Sequence, residues 1–322
     1  MKKKSNKILS ITNISTYNEM VASAQNWNFA CTFQLSTNAF NGKYTILTSE
    51  NIELAYVEYN GAMIRDTKTK ENTTSIAIIK EVSDKACFGI TKLKANDIII
   101  FDSRKYFSFI YNQPLKYQVI TISNDFLKEK KLYKYFSSLV NKKMTDTNFT
   151  LYKSLNNIIQ NKTINEIDAL DILYNIMHEK VPIKPKLTRG EQISILIKDE
   201  IYAHVDMNID IALMAKKHNI SQRSLQTNFK AIFGFTPKYF FQLIKLNLAH
   251  QDFKNKSIEH TTVLKIANKW GFKHHGRFAE QYTKLFNEHP STTLKRTMIK
   301  EQEIQPECIL RKEEMGGGVL LD

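Results

Sequence analysis

Gln222, Arg223, Gln226, Thr227 and Lys230 form one cluster of hydrogen-bonding side chains, and Lys273, His274, His275, Arg277, Gln281 and Lys284 form another. In the first, Arg223, Gln226, Thr227 and Lys230 fall at i, i+3, i+4 and i+7. On a helix they would share one face, opposite Leu225 and Phe229. Arg can fork onto the edge of guanine, Gln can pair with adenine, and Thr offers both a methyl and a hydroxyl. Lys230 suits a phosphate. In the second cluster His274, Arg277, Gln281 and Lys284 share a face, with Lys273 and His275 at the helix entrance. The bland alternative for each residue is a solvated surface position.

Other chemistry finds little support. The chain has no HExxH, no GxSxG and no Walker loop, and the MGGGVLL near its end lacks the strand and helix that a phosphate loop needs. His274 and His275 are adjacent, so on a helix they diverge by ~100° and have no third ligand at i+3 or i+4. Asp168 and Asp171 read as the solvated flank of an apolar stripe. Cys31, Cys87 and Cys308 are widely spaced and form no CxxC pair, which argues against disulfides and structural zinc and for a reducing cytoplasm. We therefore expect no catalytic residue, no metal and no cofactor.

The elements that would carry the two clusters form a repeat. Ile211 to Pro237 and Val263 to Pro290 each read as helix, turn, helix, ending at a proline. Ala215 matches Ala267, where a small side chain lets the next helix cross closely. Asn219 matches Gly271 at the turn, which needs a positive φ. Phe229 matches Tyr282 and Pro237 matches Pro290, with one extra residue in the second copy after its turn. Ser221 offers an N-cap oxygen. Leu225, Phe229 and Ile232, like Phe278, Tyr282 and Leu285, mark buried stripes. Lys238 to Asn255 predicts a bridging helix about 27 Å long at ~1.5 Å per residue. Such a bar could hold two reading helices near one turn of duplex apart, about 34 Å. A single helix-turn-helix pattern often arises by chance; a matched repeat is much harder to dismiss.

Charge agrees. The 322-residue chain carries a net charge of +14, and residues 186–300 hold 19 Lys and Arg against 9 Asp and Glu. An AT-rich genome could account for many lysines, so charge alone decides nothing, but it is densest where the repeat lies. The N-terminus lacks the apolar run of a signal peptide, and no segment reaches the ~18 apolar residues of a membrane span. We expect a soluble cytoplasmic protein with no membrane partner.

Upstream, residues 27–123 contain eight runs rich in β-branched and aromatic residues, from NFACTFQLS to KYQVITIS, which predict an antiparallel barrel or sandwich. Helices are expected over Phe126–Met144, Phe149–Asn161 and Ile164–Glu179, the last with Ile167, Leu170, Leu173, Ile176 and Met177 as a stripe for packing or for a homodimer. Residues 181–187 read as a linker. Thr188 and Glu191 form a capping-box pattern, followed by a helix over Gln192–His204. Residues 301–322 read as an acidic tail of no fixed structure.

The tandem repeat resembles the DNA-binding domain of the AraC/XylS family of transcription regulators, over Gln192 to Arg296. WGFKHHGRFAEQYTKLFNEHPSTTL and SQRSLQTNFKAIFG are closest to the subgroup that includes the ethanolamine-operon activator. Around LKANDIIIFDSRKYF the N-terminal half is similar to the family's sensor and dimerisation domain, although Asn96-Asp97 stands where a Gly-Asp turn is usual. The resemblance implies an α+β two-domain fold: an N-terminal antiparallel β-barrel or sandwich, cupin-like, with flanking helices over 1–180, and an all-α domain of two helix-turn-helix units joined by a bridging helix over 188–300. It also implies a sequence-specific activator of transcription that binds double-stranded DNA, contacts RNA polymerase and answers to a small-molecule effector or a partner at its N-terminal domain. A non-sensing architectural DNA-binding protein, whose β-domain serves only assembly, is the alternative.

Overall fold

A computed structural model describes residues 7–14, 19–20, 27–36, 40–82, 86–89, 91–104, 106–111, 114–140, 142–146, 150–179, 188–205, 209–254 and 261–299. The expected linker at 181–187 and acidic tail at 301–322 lie outside them. The chain divides into two compact units. One comprises Met1–Phe29 with Phe40–Lys186, and the other Ala30–Ala39 with Leu187–Asp322. The short segment at 30–39 thus belongs with the helical unit.

The strands are β1 (Lys7–Ile14), β2 (Trp27–Gln34), β3 (Asn41–Thr48), β4 (Ile52–Asn60), β5 (Met63–Thr69), β6 (Thr73–Val82), β7 (Cys87–Phe88), β8 (Thr91–Lys92), β9 (Asp97–Asp102), β10 (Phe107–Tyr111), β11 (Leu115–Ser123) and β12 (Lys143–Thr145); all lie in the β unit except residues 30–34 of β2. Among the described residues they make a seven-stranded sheet, β1-β3-β4-β11-β6-β9-β12, and a five-stranded sheet, β2-β5-β10-β7-β8. The strands thus form two sheets, and no ladder among the described residues joins them into a closed barrel.

β11 shows why the large sheet is buried on both faces. It pairs with β4 from Leu115↔Tyr59 to Ile122↔Ile52, and its side chains alternate. Leu115, Tyr117 and Val119 join Tyr44, Val57, Tyr59, Phe109 and Tyr111 between the sheets. Ile120 and Ile122 face the other way, into a cluster with Leu127, Phe136, Leu155 and Leu173. Four helices supply that second cover: α1 (Asn124–Glu129), α2 (Tyr133–Ser138), α3 (Thr150–Asn161) and α4 (Glu166–Met177).

The inter-sheet core is not wholly apolar. Arg65 is buried there, donating to the Tyr117 hydroxyl at 3.2 Å and lying over the Phe109 ring at 5.7 Å. At the turn before β9, Asn96 takes φ of 70°. Asn enters this left-handed region at modest cost, so it can stand where glycine is usual. Asp97 beside it accepts from the Lys94 amide at 2.7 Å and pairs with Lys143 at 3.1 Å.

Three expectations need correction. The helix predicted over Phe126–Met144 breaks at Lys131, whose φ is 60°, and its end becomes β12. The broken path lets Phe126, Leu132, Phe136, Leu139 and Met144 all reach one core. β1 and β5 carry no run that the sequence reading singled out, yet both are full strands. On α4, Leu173 and Ile176 are buried as a stripe should be, but Ile167 is 71% exposed and Tyr174 49%.

The helical unit comprises α5 (Arg189–Ala203), α6 (Ile211–Lys217), α7 (Gln222–Phe233), α8 (Pro237–Lys254), α9 (Val263–Lys269), α10 (His275–Phe286) and α11 (Pro290–Ile299). Thr188 and Glu191 form the reciprocal capping box at the start of α5. The bridging helix α8 has 18 residues.

Candidate nucleic-acid interface

The repeat is visible in the geometry. α6 and α9 have 7 residues each, α7 and α10 have 12 each, and α8 and α11 both begin at the proline. In the first copy Asp210 caps α6, accepting from the Ala212 amide at 2.8 Å, and in the second Thr262 caps α9 from Lys265 at 3.2 Å. The turns are matched bond for bond. Ile220 N–H donates to Ala215 O at 3.0 Å, and Phe272 N–H donates to Ala267 O at 2.9 Å. Asn219 and Gly271 both have positive φ, at 52° and 76°. The buried alanines sit under these turns. Gly234 and Asn287, in left-handed conformation, end α7 and α10 alike.

Each reading helix is seated on aromatic rings. Phe229 of α7 packs on Phe233 and on Phe240 of α8, with centroids 4.4 and 5.5 Å away. Tyr282 of α10 packs edge-on against Phe253 of α8 at 5.5 Å. Tyr282 also donates to Thr293 Oγ1 at 2.9 Å and pairs with His250 Nδ1 at 2.5 Å. Since the tyrosine proton goes to Thr293, His250 must carry its own proton on Nδ1 and donate. Ion pairs brace the first helices from outside the reading face: Glu200 holds Lys217 and His218, and Asp252 holds Lys269 and the Trp270 ring N–H.

His250 offers a pH test. Burial holds its imidazole well below the ordinary histidine range, and Lys254 and Arg296 push the same way. The folded state therefore resists the proton that the unfolded state accepts at a pH of about 6.5. Stability is complete above that pH and falls as pH drops below it, at up to ~1.4 kcal/mol per pH unit. Urea denaturation between pH 7.5 and 5 should show this slope in the wild type and lose it in His250→Asn. Parallel slopes would refute the assignment.

The first expected cluster stands together. Gln222, Arg223, Gln226, Thr227 and Lys230 are all exposed on α7. The second is more mixed. Lys273, His274, His275, Arg277 and Lys284 are exposed, but Gln281 is half-buried and accepts a hydrogen bond from Gln242 of α8. His274 is the N-cap of α10 and its side chain makes no capping bond, while His275 begins the helix and pairs with Asn268 at 2.7 Å. The exposed members of the second cluster are thus those at the helix entrance, with Arg277 and Lys284.

One exposed residue of α10 escaped the sequence reading. Arg223 is the second residue of α7, and the second residue of α10 is Gly276. Gly276 is exposed, and a Cβ there would meet nothing within 4 Å. Packing does not require a glycine. The registration of the two prolines would have aligned Gly276 with Arg223, and that was the available signal.

A sequence profile for the helix-turn-helix domain matches residues 214–296. The helical unit contains a helix-turn-helix domain. Over 119 residues the chain is 32% identical to the "Probable thc operon regulatory protein" of Rhodococcus erythropolis, covering 37% of this chain and 34% of that one. Over 100 residues it is 35% identical to XylDLEGF operon transcriptional activator 1 of Pseudomonas putida, covering 31% and 30%. These alignments span about a third of the relatives' length. Among solved structures, a probable AraC family transcriptional regulator from Rhodopseudomonas palustris is 29% identical over 34% of this chain and 96% of its own, with a TM-score of 0.30. Among the described residues no group of three or more His, Cys, Asp or Glu could hold a metal ion, and no helix is long and apolar enough to cross a membrane.

Proposed function

We propose that the chain is a sequence-specific DNA-binding transcription regulator, an activator governed by an effector or partner at its β unit. The observation that carries this reading is the pair of matched, exposed reading helices on one bridging helix. On α7, Arg223, Gln226 and Thr227 reach base edges and Gln222 and Lys230 meet phosphate. On α10, Arg277 reads a base while Lys273, His274, His275 and Lys284 hold the backbone. Gln281 contacts DNA only after leaving Gln242.

The finer parts of the proposal have their own supports. The wording of α9 to α11 favours the subgroup that includes the ethanolamine-operon activator. A cupin-like sensing role is supported by the polar group around Arg65, which faces the hydroxyls of Tyr59, Tyr111 and Tyr117 inside an otherwise apolar core. Leu213 and Leu264 are 64% and 51% exposed on the first helices of the two copies, which is apolar surface suited to a protein partner such as RNA polymerase. Ile167 and Tyr174 on α4 are suited to a homodimer.

Selection of duplexes from a randomised pool by the purified full chain, at near-physiological salt with nonspecific competitor, tests the reading. The expected result is a motif with two elements about one helical turn apart. Salt-sensitive binding without a motif would favour the architectural alternative. A second expectation concerns Gly276. Gly276→Ala should raise stability by about 0.5–1 kcal/mol, because the helix gains and nothing clashes, yet weaken binding to the selected duplex. Undiminished affinity would remove Gly276 from the interface.

A further inference from the structure

The bridging helix is buried more completely than two helix-turn-helix motifs explain. Seven successive residues, Leu243 to Ala249, are buried, including Lys245 and Asn247. A helix turns through all directions in 3.6 residues, so every side of this stretch is covered.

Around Asn247 the cover comes from the segment at 30–39, which belongs to the helical unit. The Asn247 side-chain amide takes hold of the Gln34 peptide from both sides. Its Oδ1 accepts from Gln34 N–H at 2.8 Å, and its Nδ2 donates to Gln34 O at 2.9 Å. The Gln34 side chain then donates to the Leu285 carbonyl at 2.6 Å, in the last turn of α10. Carbonyls there have no partner within the helix. On either side of Gln34, Phe33 and Leu35 are buried, with Phe33 against Tyr202 of α5 at 5.9 Å. Tyr202 in turn lies 6.2 Å from Phe240, in the ring cluster under α7. Phe33 and Gln34 thus reach the seat of the first reading helix, the bridging helix and the end of the second.

We propose that residues 33–35 are a strap that fixes the spacing of the two reading helices, with Gln34 and Asn247 as positioning residues for two-element DNA. This rests on the reading that both motifs bind DNA. Residues 27–29 of the same strand belong to the β unit, so a change of register in β2 has a covalently continuous route to the strap.

The test uses the full chain and three duplexes: the two-element site selected from the randomised pool, the same site with two base pairs inserted between its elements, and one element alone. The insertion rotates one element by about 70° relative to the other. Wild type is expected to lose about tenfold in affinity on the insertion. Gln34→Ala and Asn247→Ala should each cut that penalty to about twofold while binding the single element as wild type does, since each loses hydrogen bonds that hold the spacing but none that face DNA. A tenfold penalty retained in both variants overturns the strap. If Asn247→Ala does not fold, Gln34→Ala, which leaves the buried amide intact, decides alone. Absence of any wild-type preference for two elements over one would instead overturn the two-motif reading, and the strap with it. Amide hydrogen exchange in wild type gives an independent check: the Gln34 N–H should be protected, and exchange at the rate of an open peptide overturns the proposal.

Discussion

Phe240→Ala should cost the helical unit about 3–5 kcal/mol and abolish DNA binding, the range for deleting a fully buried aromatic side chain. Phe240 has no exposed surface, and its ring meets Phe229, Phe233 and Tyr202 at 5.5, 5.8 and 6.2 Å. Its ring meets rings of both α5 and α7, so its loss opens a cavity under the seat of the first reading helix rather than at its edge. Much of a helical unit's stability is at stake in such a loss, since whole domains are held by only ~5–15 kcal/mol. Urea denaturation followed by a helix signal measures the cost, and Phe240→Leu should recover a large part of it. A loss under 1 kcal/mol would mean that α7 is seated by its own turn chemistry and not by the ring cluster.

That seat was legible in the sequence because every landmark is local. Asn219 and Gly271 announce the positive φ that they adopt, Ser221 caps the helix that it precedes, and the two prolines fall where α8 and α11 begin. Helical spacing then put Phe229 and Tyr282 inside and Arg223 and Arg277 outside. The β unit was less legible for a related reason. β11 and β9 read clearly because they carry dense runs of β-branched and aromatic residues, but β5 carries Arg65, Asp66 and Lys68, and its burial depends on a sheet that no local pattern describes. The break at Lys131 is similar: lysine gives no sign of a left-handed residue, and the distant pairing of β12 with β9 fixes the path beyond it. The strap is the extreme case. Gln34 and Asn247 are 213 residues apart, and a glutamine that alternates with Phe33 and Leu35 reads only as the wet side of a strand. The half-buried Gln281 also follows from a neighbour, Gln242, that periodicity cannot assign.

Arg223→Ala is expected to weaken binding to the selected two-element site by ~1–3 kcal/mol and to relax preference at one base position. Arg223 sits in the first turn of α7, the part of a reading helix that enters the major groove. Its side chain is exposed and makes no ion pair among the described residues, so it can turn to DNA without breaking a contact. Lys230 lies two turns further along the same face. Lys230→Ala should reduce affinity for all sequences alike and lower the slope of log affinity against log salt by about one. The two variants therefore separate specific from electrostatic binding within a single helix. A uniform loss in Arg223→Ala, with the salt slope reduced, would reassign that guanidinium to phosphate. The burden of sequence reading would then move to Gln226 and Thr227 and to Arg277 on α10, where Gly276 takes the place that Arg223 holds on α7.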